Sequence, residues 1–207
     1  MILKQSHKYQ GNLHKFDFEV NSKEECNFFI SSDWHWDNVK CNRELLKSHL
    51  DKAMEIGAFI VVTGDMLCLM QGKYDKRSSK SAVRPEHNAT NYLDVVINDC
   101  ANYLRPYAKN ILLISEGNHE TSVSERHETR VLERLVERVN TLEGTNIQLG
   151  NYTGYYKYVV DSGEQIVEFW FDFFYPSRKW SHTVLSSMND KNPSPMIYNF
   201  KCRKFKN

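Results

Sequence analysis

Three short clusters carry side chains suited to one task, the holding of divalent cations. Ser32-Asp33-Trp34-His35 sets a carboxylate and an imidazole two residues apart. On an extended backbone that spacing turns both to the same side, where they can face one ion. A hard carboxylate beside a borderline imidazole suits Mn²⁺, Fe or Zn²⁺ better than Ca²⁺. Thr63-Gly64-Asp65 adds a carboxylate after a glycine that permits a tight turn and close backbone approach, and this carboxylate could bridge two cations. Gly117-Asn118-His119-Glu120 supplies a neutral carbonyl ligand in Asn118 and, beside it, an imidazole able to reach toward a substrate.

Each cluster must be positioned by the element before it, and in each case that element has the grammar of a buried strand. Asn27–Ser31 is a short apolar run, 58–65 (AFIVVTGD) is rich in β-branched and aromatic residues, and 110–118 (NILLISEGN) repeats the pattern. Amphipathic stretches separate them. Leu45, Leu46, Leu50, Ala53 and Met54 fall at helical spacing, with Gly57 where a C-terminal cap belongs. Residues 91–105 carry Leu93, Val96, Ile97, Cys100 and Leu104 on one stripe ahead of Pro106. A third helix is expected from Ser124 to Val139, with Glu125 and Glu128 in its first turn. Strands alternating with helices predict an α/β fold, and in parallel α/β sheets ligands bind at the carboxyl ends of the strands. Residues 15–20 alternate like an edge strand, and the segments NIQLG, YYKYVV and IVEFWF predict a second, antiparallel sheet.

Asp-x-His, Gly-Asp and Gly-Asn-His-Glu, in this order and each after a β-like run, resemble the signature of the calcineurin-like metallophosphoesterases. The resemblance spans residues 27–120 by motif and extends by element order to about 170. It implies a two-sheet sandwich flanked by helices (α/β/β/α) and a phosphoric ester hydrolase with two divalent ions, Mn²⁺ or else Fe or Zn²⁺, that activate a water. By that resemblance Asp33 and His35 hold the first ion, Asp65 bridges both and Asn118 binds the second. His119 then stabilises the phosphate or protonates the leaving oxygen, with Glu120 orienting it. The substrate is a phosphate monoester or diester, including nucleotides and nucleic acid. No Ser-His-Asp or Cys-His arrangement is persuasive as a rival.

The chain departs from the family in two places. After Asp65 the family commonly sets another carboxylate or amide, whereas here 66–70 is the apolar run MLCLM, expected to pack; the following loop is either a solvated charged segment or the source of phosphate contacts from Arg77 or Lys73. The family also continues with a lone His and then Gly-His-x-His, and this chain has no Gly-His pair. His182 is the single candidate beyond the third helix; His87 and His127 are expected to face solvent. The division is therefore 1–171 as a metallophosphoesterase-like domain with an incomplete C-terminal part, and 172–207 as an irregular tail, as a truncation or a change of reading frame would produce. The rival from another function class is a metal-binding scaffold that keeps the fold and has lost catalysis.

Composition narrows the classes further. Lys and Arg number 27 against 26 Asp and Glu, a formal charge of +1 over 207 residues, so no polyanion partner is favoured by the overall balance. No run of about 20 apolar residues could span a bilayer, and the first 16 residues lack the apolar stretch of a signal peptide. The expectation is a cytoplasmic protein with no membrane partner and no identifiable protein partner. The five cysteines are odd in number and without a CxxC pair, which predicts reduced thiols.

Overall fold

A computed structural model of the chain describes residues 1–10, 12–21, 25–69, 80–161, 166–174 and 196–201. Over these described residues it is a mixed α/β protein with two sheets and four α-helices. The strands are β1 (Ile2–Tyr9), β2 (Leu13–Glu19), β3 (Glu25–Ser31), β4 (Phe59–Thr63), β5 (Ile111–Ser115), β6 (Gln148–Gly150), β7 (Thr153–Asp161), β8 (Ile166–Phe174) and β9 (Met196–Lys201). The helices are α1 (Arg43–Glu55), α2 (Tyr92–Leu104), α3 (Asn118–His127) and α4 (Val131–Glu143).

The first sheet has the order β6-β5-β4-β3-β9, with β3 to β6 mutually parallel and β9 antiparallel to β3. Its central strands β4 and β5 are apolar up to their last residues, Thr63 and Ser115, because both faces are covered. On one face lie all four helices. Asn42 caps α1 through a bond from the Leu45 amide (3.0 Å), and Leu46, Leu50 and Ala53 point inward. Gly57, at φ 63°, ends that helix in the left-handed conformation expected of it. The stripe of α2 buries Val96, Ile97, Cys100, Ala101 and Leu104, and that of α4 buries Val131, Leu132, Leu135, Val136 and Val139.

The opposite face meets the second sheet, ordered β1-β2-β7-β8. Phe18 of β2 sits 4.9 Å from Phe59 and 5.5 Å from Phe28 between ring centroids, and Phe28 stacks on Tyr158 of β7 at 3.8 Å. These contacts close a second apolar core between the sheets. The outward residues of β2 and β7 include the Lys15–Asp17 ion pair and the exposed Tyr155. Among the described residues that outer face carries no helix, so the expected fourth layer is not present there.

Several expectations need correction. The stretch 15–20 belongs to β2, which lies inside its sheet, antiparallel to β1 and parallel to β7, so the second sheet is mixed rather than antiparallel. β1 was not anticipated because nearly all of it is exposed and it has no apolar face to give a period. β6 joins the first sheet beside β5 instead of the second. The single helix expected over 124–139 is two, broken where Glu128 adopts φ 53°. Finally, β8 crosses position 171 and β9 lies within 172–207, so that segment is not uniformly irregular. Its order at 196–201 comes from backbone pairing with β3, which needs no side-chain period. No helix among the described residues is long and apolar enough to cross a membrane.

Candidate metal centre

β3, β4 and β5 lie side by side, and their pairing continues into the loops beyond their carboxyl ends. The Asp33 amide donates to the Gly64 carbonyl (3.1 Å), His35 to Asp65 (3.1 Å) and Trp36 to Met66 (2.9 Å), while Gly64 donates to Ser115 (3.1 Å). This zipper carries the Asp33–His35 loop against Asp65. Keeping those bonds while the chain turns out of the sheet forces an unusual backbone: Asp33, His35 and Asp65 all have positive φ, at 55°, 47° and 49°. The extended Asp-x-His expected from the spacing is thereby replaced by two left-handed residues, a conformation costing roughly 1 kcal/mol or more each for residues other than Gly. Strain of this kind gathers at functional sites. Its outcome here is that ligand atoms of Asp33, His35 and Asp65 all lie within 4.8 Å of one another.

Asp33 is oriented by Ser32, whose hydroxyl donates to Oδ2 at 2.6 Å, and its Oδ1 stands 3.9 Å from His35 Nε2. Burial, and then the nearby His119, hold His35 below the usual imidazole range against the pull of Asp65 and Asp33. That shift favours the neutral form, the one that ligates metals. Its Nδ1 is buried with no hydrogen-bond partner, and an imidazole with an unmet nitrogen, grouped with two carboxylates, fits a cation better than it fits a core.

The third cluster forms the first turn of α3. Gly117 precedes it and lies so close to Asp65 that an added Cβ would overlap the Asp65 backbone nitrogen and Oδ1. Asp65 Oδ1 in turn accepts from the His119 amide at 3.0 Å, so the carboxylate sits at the positive end of the helix. Asn118 opens α3 and is half-buried. His119 donates from Nδ1 to the Cys68 carbonyl at 2.6 Å, which makes Nε2 the nitrogen turned to other work.

Glu120 does not orient His119. Fully buried, it accepts from the Leu67 amide (2.8 Å) and the Gly117 amide (2.9 Å), tying α3 to the loop after β4. Burial, then the charge of Asp65, push its carboxyl up to about 8. Glu120 is therefore a brace, and the part assigned to it belongs to the Cys68 carbonyl.

The loop 66–69 packs as expected, with all four residues buried, and Asp37 holds it. The Asp37 carboxylate accepts from the Cys68 and Leu69 amides and from the Tyr92 hydroxyl. Nothing in the local sequence marked Asp37, because its partners are 31 to 55 residues away. Asp37→Ala leaves three buried donors unsatisfied; we expect it to cost about 3 kcal/mol and to lower Tm by roughly 10 °C. A Tm within about 2 °C of the parent protein would show that the loop holds itself.

A neighbouring network steadies Trp36, next to His35. Asp99 Oδ2 accepts from Trp36 Nε1 (2.9 Å), Arg43 Nη2 (2.8 Å) and His87 Nε2 (2.8 Å), and the Arg43 guanidinium lies 3.5 Å over the Trp36 ring. His87 is thus fully buried, contrary to expectation, with Asp99 rather than solvent meeting its Nε2. His127 is exposed and, with Arg126, Ser122, Leu69 and Cys68, lines a shallow cleft beside His119. Burial, and then the Asp65 charge, raise the phenol of Tyr152, in the bend before β7. Arg77, Lys73 and His182 lie outside the described residues.

Compared with protein-family models and with curated proteins, the chain matches none.

Proposed function

We propose that this protein is a metal-dependent hydrolase of phosphate esters, built as a calcineurin-like metallophosphoesterase on a two-sheet sandwich. The observation that carries this reading is the convergence of Asp33, His35 and Asp65 within 4.8 Å at the ends of adjacent parallel strands, with His119 docked on Asp65 through its amide. That donor set, two carboxylates and a neutral imidazole, fits Mn²⁺, Fe or Zn²⁺. Asp33 and His35 would hold one ion, Asp65 would be shared and Asn118 would contribute an amide oxygen to the second. Divalent ions bound there supply Lewis acidity, acidifying water and drawing charge from phosphoryl oxygens.

The remaining work falls to the chain. His119, with Nδ1–H committed to the Cys68 carbonyl, carries its mobile proton on Nε2 and delivers it to the leaving oxygen. Asp65 fixes the start of α3 and hence the reach of that ring. Cys68 is not a competing nucleophile, since burial pushes its thiol up to about 12. The substrates this chemistry serves are phosphodiesters, nucleotides and nucleic acid included, and phosphomonoesters.

Mn²⁺ is expected to stimulate hydrolysis of a nitrophenyl phosphodiester, EDTA to abolish it and added Mn²⁺ to restore it. Turnover unchanged after exhaustive chelation would overturn the mechanism. The absence of a Gly-His pair favours one second reading, a metal-binding scaffold in which catalysis is lost. Bound metal without turnover of either ester class would select it.

A further inference from the structure

Cys68 stands three residues beyond Asp65, where an oxygen ligand or an apolar spacer would be unremarkable and a thiol is not. Its main-chain groups are committed on both sides: the amide donates to Asp37 and the carbonyl accepts from His119. The following Leu69 is held at φ 54°, so the residue has little freedom to turn away. The sulfur is thereby fixed, and the side-chain amide of Asn38 donates to it at 3.3 Å. Support of this kind orients the sulfur as a ligand, and a soft cation bound there would displace the thiol proton.

Around that sulfur the structure gathers two imidazoles. Ligand atoms of Cys68, His35 and His119 all lie within 4.8 Å of one another, and the two rings stand edge to face with centroids 4.9 Å apart. His119 has Nδ1 occupied by the Cys68 carbonyl and therefore offers Nε2. His35 has one nitrogen 3.9 Å from Asp33 and the other buried without a partner. One thiolate and two imidazoles, with a fourth position left open, form a donor set that selects Zn²⁺ over Mn²⁺ or Mg²⁺.

We propose that Cys68, His35 and His119 form a second, sulfur-containing metal site that takes Zn²⁺ beside the oxygen-rich group of Asp33, His35 and Asp65. His35 is common to both, so filling the softer site withdraws a ligand from the harder one. Resting on the phosphoesterase reading above, a further consequence follows: His119 bound to zinc cannot deliver a proton, so Zn²⁺ switches the enzyme off. The chain thus carries a zinc-sensitive brake made of residues from the loops after β3 and β4 and from the first turn of α3.

Cobalt tests the site without reference to activity. Titration of the metal-stripped full chain with Co²⁺ should develop a thiolate-to-cobalt charge-transfer absorption that saturates at one ion per chain and is bleached by an equal amount of Zn²⁺. Cys68→Ser should lose that absorption while Cys41→Ser keeps it, with circular dichroism showing both variants folded. If the serine variant fails to fold, Cys68→Ala replaces it. No charge-transfer absorption in the parent chain, or its survival in the folded Cys68 variant, overturns the site. In a second arm, a few equivalents of Zn²⁺ should cut Mn²⁺-supported turnover at least about tenfold in the parent and less than about twofold in Cys68→Ser, each against its own zinc-free rate. Equal inhibition of both overturns the brake. A thiolate–cobalt signal in a chain with no Mn²⁺-supported turnover would leave the zinc site standing and sink the phosphoesterase reading instead.

Discussion

Asp65→Asn is expected to strip Mn²⁺ from the protein and to reduce phosphodiester turnover to the metal-free level, a loss of roughly a thousandfold or more. The substitution isolates charge. Asp65 lies at φ 49°, a conformation that asparagine also tolerates, and an amide oxygen can still accept from the His119 amide. What disappears is the negative charge that a shared position between two cations requires. His119→Ala provides the contrast. It removes a proton donor and leaves Asp33, His35, Asp65 and Asn118 untouched, so Mn²⁺ should stay bound while the rate falls by roughly 10²- to 10⁴-fold. Metal content by elemental analysis and kcat measured on the same samples separate the two. Equal loss of Mn²⁺ from both variants would mean that His119 is a ligand for that ion and that its assigned role is mistaken.

Gly117→Ala should be nearly as damaging, although it adds one methyl group and replaces no ligand. The new Cβ would overlap backbone as well as side-chain atoms of Asp65, and backbone cannot rotate out of the way. Either α3 lifts from the end of β4 or Asp65 is driven toward Asp33. Both routes break the bonds from the His119 and Gly117 amides that lock the centre together. Overpacking of this kind costs about 3 kcal/mol in a tight site, so Tm should fall by roughly 10 °C. Mn²⁺ affinity should fall with it, because the ligand geometry and the fold share the same contact. Gly117→Ala with parental Tm and full metal content would show that α3 can move aside freely, and that its docking on Asp65 does not set the site.

Much of the layout was legible from residue order because its cause is local. The buried strands β3, β4 and β5 are short apolar runs, and each ends in the polar cluster that the chemistry needs. The stripes of α1, α2 and α4 have a helical period because each buries one face. Those regularities were enough to bring Asp33, His35, Asp65 and His119 to one end of one sheet. They failed where order has no local signature. β1 is exposed along nearly its whole length and exists by pairing with β2; β9 exists by pairing with β3. The break between α3 and α4 depends on one residue, Glu128, adopting a left-handed conformation that its type does not announce.

By itself, then, the sequence determined the inventory of the centre and the strand ends that present it, since adjacent residues inherit their placement from the element they terminate. Tertiary structure decided how those residues are held. The left-handed turns at Asp33, His35 and Asp65 come from hydrogen bonds between loops about 30 residues apart. The support of His119 by a backbone carbonyl, the bracing role of Glu120, and the parts played by Asp37 and Asp99 all depend on partners 31 to 63 residues away, or across a packed helix. A side chain's type states which bonds it can make; only the fold states which partner arrives within 3 Å, and that choice sets one buried carboxylate among the candidate ligands and makes another a brace.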